Sequence, residues 1–112
     1  MDVNVKTVEG ATVIELKGRI DGHTAPKIEP QILPLIQPES KIVLDMTQVT
    51  YISSIGLRML AATYQQASSN DGRIVLAGLS ERIRDTMTIT GFMRYFAACE
   101  TVEAGLAALE QE

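Results

Sequence analysis

The sequence predicts an α/β domain built on a mixed sheet of four or five strands, with helices packed largely on one face of the sheet. Two short apolar runs, Ile42-Val43-Leu44 and Ile74-Val75-Leu76-Ala77, are typical of strands that are covered on both sides in a parallel sheet. The segment between them has apolar residues at helical spacing after Gly56. Strand and helix signals also alternate along the rest of the chain, and this alternation favours right-handed crossover connections.

An antiparallel hairpin is predicted at the start of the chain. Its first strand is indicated by three closely spaced valines, Val3, Val5 and Val8. Glu9-Gly10 supplies the turn, and the second strand runs over Ala11–Lys17. A polar loop is expected over Gly18–His23, followed by Thr24 as the N-cap of the first helix.

The first helix carries an unusual number of prolines. Its apolar residues have helical spacing, at Ile28, Ile32 and Leu35. Prolines recur at every fourth position, at Pro26, Pro30, Pro34 and Pro38. Pro26 suits a first turn, but Pro30 and Pro34 would each remove an interior hydrogen bond at a cost of about 3 kcal/mol. We therefore expect a kinked or broken helix.

The helix after Gly56 is predicted to end at the turn residues Asn70-Asp71-Gly72. One apolar stripe of this helix is expected to face the sheet, at Leu57, Leu60, Ala61 and Tyr64. Ser80 can cap a third helix that stops near Gly91 and points Ile83 and Met87 inward.

The C-terminal part is predicted to hold one more strand and one more helix. A short strand is expected around Tyr95-Phe96, and Thr101 can cap the final helix. The inward-facing residues of that helix are expected to be Val102, Leu106 and Leu109.

The amino-acid composition limits the kinds of protein that this chain is expected to be. At 112 residues the chain fits one domain, taken as residues 1–112, and 46% hydrophobic content is enough for one core. Ten basic and fourteen acidic residues leave a net charge of −4 without a basic block, which argues against nucleic-acid binding. The chain shows neither a membrane-spanning apolar run nor a signal-peptide pattern, so a cytoplasmic location is expected.

No metal or cofactor is expected either. His23 is the only histidine, and no cysteine or carboxylate cluster stands at ligand spacing around it. Cys99 is the only cysteine and cannot form an internal disulfide. Phosphate-loop and dinucleotide-binding patterns are also missing, so the chain is not expected to bind a nucleotide of its own.

Two serines at the start of the predicted second helix are the most informative feature. Ser53 and Ser54 follow an apolar strand and a polar turn and precede Gly56. Free N–H groups and the helix dipole favour an anion at such a position. From spacing alone, two interpretations stay open: both serines are only helix caps, which stabilise by about 1 kcal/mol, or one of them accepts a phosphate.

The same segment resembles the signature of STAS domains of the anti-sigma factor antagonist type. Asp45-Met46-Thr47-Gln48-Val49 and Ile52-Ser53-Ser54-Ile55-Gly56-Leu57 follow the family order without insertion. The resemblance implies a STAS-like fold and a phosphoacceptor serine two positions before the glycine, which is Ser54. Two residues depart from the pattern, because Ser53 stands where the family often has aspartate and Ile55 where it often has a smaller residue. Ile55 could either contact a partner or fill the edge of the core.

A second segment, Gly18 to Ala25, is also similar to the family. The resemblance implies that this loop lies beside the serine turn and that Asp21 contributes to the surface facing the partner kinase. The residues alone favour the interpretation that Asp21 is a turn residue that binds its own backbone. Gly56 is expected to permit a close backbone approach at the helix start. The predicted partner-binding residues are Asp21, Ser53, Ser54, Ile55 and Gly56.

The resemblance implies a switch and not an enzyme. The unphosphorylated chain would bind a serine-kinase anti-sigma factor and thereby release a sigma factor, and phosphorylation of Ser54 would end that binding. A serine phosphatase would then reset the chain. The nearer alternative is a STAS subunit or scaffold, for example of a transporter ATPase, in which the serines are only caps. A farther alternative is a hydrolase using Ser54, His23 and Asp45, but the chain lacks the G-x-S-x-G elbow.

Overall fold

The computed structural model describes residues 2–110, so the first residue and the last two residues of the predicted domain lie outside it. It contains a five-stranded sheet in the order β1-β2-β3-β4-β5. β1 is antiparallel to β2, and every later pair is parallel. The strands are β1 Asp2–Val8, β2 Ala11–Ile20, β3 Lys41–Ile52, β4 Arg73–Ala77 and β5 Ala97–Cys99.

Within residues 2–110, four α-helices pack against this sheet, and two short 3-10 helices lie between the larger elements. The α-helices are α1 Ala25–Ile32, α2 Ser54–Ser69, α3 Glu81–Ile89 and α4 Val102–Glu110, and the 3-10 helices are Leu33–Leu35 and Phe92–Tyr95. The predicted α/β class and mixed sheet are therefore confirmed. None of the helices within residues 2–110 is long and apolar enough to cross a membrane.

The two faces of the sheet carry cores of unequal size. The larger core joins the sheet to α1, α2 and α3, whereas the smaller one lies under α4. Successive side chains of β3 point to opposite faces of the sheet and so contribute to both cores. Ile42 and Leu44 belong to the larger core and Val43 to the smaller one. This arrangement confirms that helices pack largely on one face and that the central strands are covered on both sides.

The N-terminal hairpin forms as predicted, with Val8 paired to Ala11 across a two-residue turn. Glu9 and Gly10 have φ angles of 51° and 83°, the backbone of a turn whose twist matches the paired strands. β2, however, continues to Ile20, so the prediction of a loop from Gly18 was wrong for its first three residues. Register shifts near Lys17 and Gly18 keep the extension paired with β3, and burial of Ile20 stabilises it.

The prolines interrupt the first helix as expected. α1 begins next to Pro26, keeps Pro30 in its interior and ends at Ile32, where the chain tightens into the 3-10 turn that contains Pro34. Ile28 and Ile32 are nevertheless fully buried. Apolar burial of about 1.5–3 kcal/mol per side chain therefore holds this segment on the sheet despite the lost backbone hydrogen bonds.

The last strand was predicted two residues too early. Tyr95 ends a 3-10 helix, Phe96 packs in the larger core, and β5 covers Ala97–Cys99 instead. The small residues of β5 have no strand pattern of their own, and their pairing with Val75–Ala77 of β4 defines the strand. The predicted caps of the last two helices are confirmed, since the Ser80 and Thr101 hydroxyls accept from the N–H groups of Ile83 and Ala104.

Candidate functional site

Ser53 forms the junction between β3 and α2. Its backbone is extended, and its Oγ accepts a hydrogen bond from the Gly56 N–H at 3.2 Å. Its carbonyl accepts from the Leu57 N–H, and its own N–H donates to the Ile20 carbonyl, each at 2.9 Å. Ser53 is therefore the N-cap of α2, and it also ties the helix start to the end of β2.

Ser54 differs from Ser53 in its exposure and in its hydrogen bonding. It is the first residue of α2, it is exposed, and its hydroxyl has no hydrogen-bond partner among residues 2–110. The two serines thus do not share the capping role, which belongs to Ser53. The Ser54 hydroxyl remains reachable at the positive end of a 16-residue helix, where a negative group is favoured.

Gly56 brings the helix start into contact with β2. A Cβ atom at this position would lie 2.8 Å from both the Ile20 carbonyl oxygen and the Ile20 Cγ2, and 2.9 Å from Ile52 Cγ1. Any side chain would therefore push α2 away from the sheet. The expected close backbone approach is present, and Gly56 is buried at the start of α2.

The loop around Asp21 lies beside the serine turn, because Ser53 binds the carbonyl of Ile20. Asp21 Oδ1 accepts from the N–H groups of His23 and Thr24, at 2.9 Å and 3.1 Å. These bonds hold the pKa of the Asp21 carboxyl below its ordinary value of 3.8. Asp21 is thus a turn residue that binds its own backbone, while Oδ2 still faces Arg19 Nε at 3.7 Å.

Thr24 precedes α1, as predicted, but its side chain does not cap that helix. Its hydroxyl instead donates to the Arg19 carbonyl at 2.7 Å and accepts from the Asp21 N–H at 2.9 Å. Since Asp21 in turn accepts from the Thr24 N–H, the two residues brace the loop reciprocally. The loop is therefore held in one shape before any partner arrives.

Two apolar side chains surround Ser54 on the surface. Ile55 is 49% exposed and Tyr51 is 40% exposed. Ile55 also reaches over the Asp21 loop, since a Cβ at Gly22 would lie 3.2 Å from its Cδ1. We call the surface formed by Asp21, Tyr51, Ser54 and Ile55 the serine face. Of the five predicted partner-binding residues, Asp21, Ser54 and Ile55 are on this surface, and Ser53 and Gly56 support it from below.

A groove with a volume of about 330 Å³ runs from the serine turn to α3. Its lining residues include Arg82, Thr86 and Thr90 of α3 and its end, and none of these was predicted to be a site residue. The available signal was their spacing of four residues, which places them in one polar stripe of a helix. Nothing in the sequence indicated that this stripe faces Ser54.

The hydrolase constellation does not form around Ser54. His23 lines a separate groove with Asp21, Lys17 and Arg19 and is not among the residues lining the groove at Ser54. Asp45 Oδ1 accepts from both the N–H and the hydroxyl of Thr47, so this carboxylate is used in the turn that follows it. Within residues 2–110 no group of three His, Cys, Asp or Glu side chains is arranged to hold a metal ion.

Comparison with known proteins shows which family and fold this chain resembles. The model of the STAS domain family matches residues 2–105. The candidate anti-sigma factor antagonist BtrV of Bordetella bronchiseptica is 28% identical over 111 residues, which cover 98% of this chain and 96% of that protein. The anti-sigma-B factor antagonist of Staphylococcus epidermidis is 31% identical over 94 residues, covering 81% and 87%. An anti-sigma factor antagonist structure from Mycobacterium paratuberculosis superimposes with a TM-score of 0.88 at 27% identity, covering 98% and 94%.

Proposed function

The chain belongs to the STAS domain family, and we propose that it is an anti-sigma factor antagonist switched by phosphorylation of Ser54. The observation that carries the proposal is the contrast between two adjacent hydroxyls. Ser53 is committed to capping α2, whereas Ser54 is exposed and has no partner within residues 2–110. A kinase can therefore reach and modify Ser54 without breaking a bond that holds the fold.

The unphosphorylated chain binds an anti-sigma factor that is also a serine kinase, and this binding releases a sigma factor. The serine face supplies the contact, with Ile55 and Tyr51 as the apolar part. Asp21 lies at its edge with one carboxylate oxygen held by backbone N–H groups. Because the Asp21 loop is already ordered, little conformational entropy is lost there on binding.

Phosphorylation then ends the complex. The Ser54 Oγ forms a bond to the γ-phosphorus of ATP as the bond to ADP breaks, and a base of the kinase accepts the hydroxyl proton. This chain contributes only the acceptor and no catalytic group. A serine phosphatase hydrolyses the ester and resets the chain, and the cycle operates in the cytoplasm, where ATP is available.

The energies explain why the partner leaves while the domain stays folded. A phosphoserine carries about −1.5 to −2 charges, and at a helix N-terminus it gains about 0.3–1 kcal/mol. Burying the same charge against a partner costs several kcal/mol unless a cation meets it. A loss of about 3 kcal/mol weakens binding more than a hundredfold.

The direct test is incubation with the cognate anti-sigma kinase and ATP, followed by peptide mass analysis and by measurement of partner affinity. We expect one phosphate on Ser54 and release of the partner. Ser53→Ala is the matched control and should still be phosphorylated, whereas Ser54→Ala should stay bound in ATP. Normal phosphorylation and release of Ser54→Ala would refute the proposal.

Ser54→Asp separates the switch from the alternative of a constitutive STAS subunit or scaffold. If Ser54 is the switch, the added charge should weaken binding of the kinase by at least about tenfold, since one carboxylate carries less charge than a phosphate. Isothermal calorimetry with the purified kinase measures this. Unchanged affinity would favour the constitutive subunit.

A further inference from the structure

We propose that Arg82 of α3 binds the phosphate of phosphorylated Ser54 within the same chain. The inference rests on the proposed function only in taking Ser54 as the modified residue. It adds a specific phosphate receptor to the domain and defines what the phosphorylated form looks like: the phosphate lies in the groove toward α3 instead of projecting freely from the serine face.

Both residues line one groove. Ser54 lines it from the start of α2, Arg82 lines it from the first turn of α3, and the groove has a volume of about 330 Å³. Both residues are exposed, so neither needs to break out of the core. A phosphate on the Ser54 hydroxyl would therefore stand at a groove that Arg82 also lines.

Arg82 is the only charged residue among those lining this groove. Its guanidinium forms no ion pair with any of residues 2–110, whereas Arg19 is paired with Asp21. Arg82 is thus available to an incoming anion. The guanidinium fork also matches phosphate oxygens in a bidentate arrangement, which makes arginine well suited to this role.

The threonines on the same wall do not compete for the phosphate. The Thr86 hydroxyl donates to the Arg82 carbonyl at 3.0 Å, and the Thr90 hydroxyl donates to the Thr86 carbonyl at 2.7 Å. With their protons committed to the backbone of α3, both hydroxyls present only acceptor lone pairs to the groove. Of the groove-lining side chains of α3, Arg82 is therefore the one that can donate to a phosphate.

Capture by Arg82 changes the surface in two ways at once. It neutralises part of the new charge inside the chain, which favours the dianionic phosphate and lowers its second pKa from the usual value of about 6. It also withdraws the Arg82 guanidinium from any acidic group of a bound partner. Phosphorylation therefore removes a positive charge from the edge of the serine face as well as adding a negative one.

The test uses the full chain with phosphoserine installed at position 54 by translational incorporation, so that no kinase is needed. A ³¹P NMR titration gives the second pKa of the phosphate. We expect the pKa to rise by about half a unit in Arg82→Gln, about a threefold change in proton affinity. Arg82→Lys keeps the charge and should retain most of the lowered pKa.

Arg58→Gln is the matched control. Arg58 is also exposed and lies one turn after Ser54 on α2, but it lines a different groove, with Ile55 and Glu29. A side chain one turn on can approach the start of its own helix, so Arg58→Gln should raise the phosphate pKa clearly less than Arg82→Gln does. The proposal is overturned if Arg82→Gln leaves the pKa at its wild-type value, if Arg82→Lys behaves like Arg82→Gln, or if Arg58→Gln causes the shift instead.

The outcomes for the two proposals can be told apart. A missing pKa shift would reject the Arg82 receptor and leave kinase-dependent release at Ser54 untouched, because the NMR experiment contains no kinase. Conversely, a clear Arg82-dependent shift in a chain that its kinase modifies elsewhere would reject the proposed switch while the receptor remained demonstrated. Equal melting temperatures of the unphosphorylated wild type and Arg82→Gln verify that the variant is folded.

Discussion

The serine turn and the Asp21 loop lie side by side at one end of the sheet, yet they use their polar groups in opposite ways. In the Asp21 loop, the carboxylate and the Thr24 hydroxyl are both occupied by local hydrogen bonds. In the serine turn, Ser53 is occupied and Ser54 is not. The difference shows that the fold stabilises a rigid frame around one hydroxyl that takes no part in holding it together.

This contrast has a physical basis in what a switch requires. A group whose hydrogen bonds hold the backbone cannot be modified without a cost in stability. A group that the fold does not use can gain a charge at the helix N-terminus and keep the domain intact. Variants of Gly56, of the two serines and of Asp21 test whether the two loops are coupled through their packing, whether only Ser53 caps α2, and whether backbone N–H groups hold the Asp21 carboxylate.

The largest effect on stability is expected from Gly56→Ala, because the added methyl group would push the start of α2 away from the end of β2. The new methyl group would meet the Ile20 carbonyl oxygen at 2.8 Å, and we expect the free energy of unfolding to fall by about 2 kcal/mol. Urea denaturation measures this change, and an unaltered denaturant slope would show that only stability has changed.

Gly105→Ala in α4 is the control for this variant. It also adds a methyl group to a buried helical glycine, but its nearest contacts are valine side chains at 3.3–3.5 Å. Helix propensity should offset that milder crowding and leave the stability nearly unchanged. Equal losses for the two variants would contradict the special closeness of Gly56 to β2.

A smaller effect should distinguish the adjacent serines. Ser53→Ala removes the hydrogen bond to the Gly56 N–H and should lower the free energy of unfolding by about 1 kcal/mol. Ser54→Ala removes an exposed hydroxyl without a partner and should change it by less than about 0.5 kcal/mol. Thermal or urea unfolding of both variants tests the difference, and a larger loss for Ser54→Ala would reverse the assignment of the cap.

The smallest effect on the free energy of unfolding is expected from Asp21, and it should appear only at acidic pH. Because the pKa of Asp21 is lowered in the folded chain, its carboxylate contributes stability above the ordinary pKa of 3.8 and loses that contribution as the pH falls below it. Wild-type stability should therefore drop relative to Asp21→Asn between about pH 5 and about pH 3.

Urea unfolding at both pH values measures this change. Arg19→Gln is the control and should keep the wild-type acid dependence, since N–H groups of His23 and Thr24 are the leading cause of the shift. If Arg19→Gln removed the acid dependence, the ion pair and not the backbone would be responsible.

Much of the fold could be predicted because its signals are local. The hairpin turn, the caps at Ser80 and Thr101, and the end of α2 depend on residues within a few positions of one another. Errors arose where pairing across the sheet outweighed local preference. Gly18–Ile20 joined β2 because β3 extends beside it, and β5 formed at small residues because β4 offers a free edge there.

The sequence by itself determined the α/β class, the position of a serine pair before a helix and the family to which that pattern is similar. Only the tertiary structure decided which serine is occupied as the cap, how closely Gly56 approaches β2, and that Arg82 shares a groove with Ser54. The reason is that periodicity and capping depend on neighbours along the chain, which the sequence displays directly. Contacts between β2, α2 and α3 join residues that are far apart in the sequence, and these contacts form only when the helices pack against the twisted sheet.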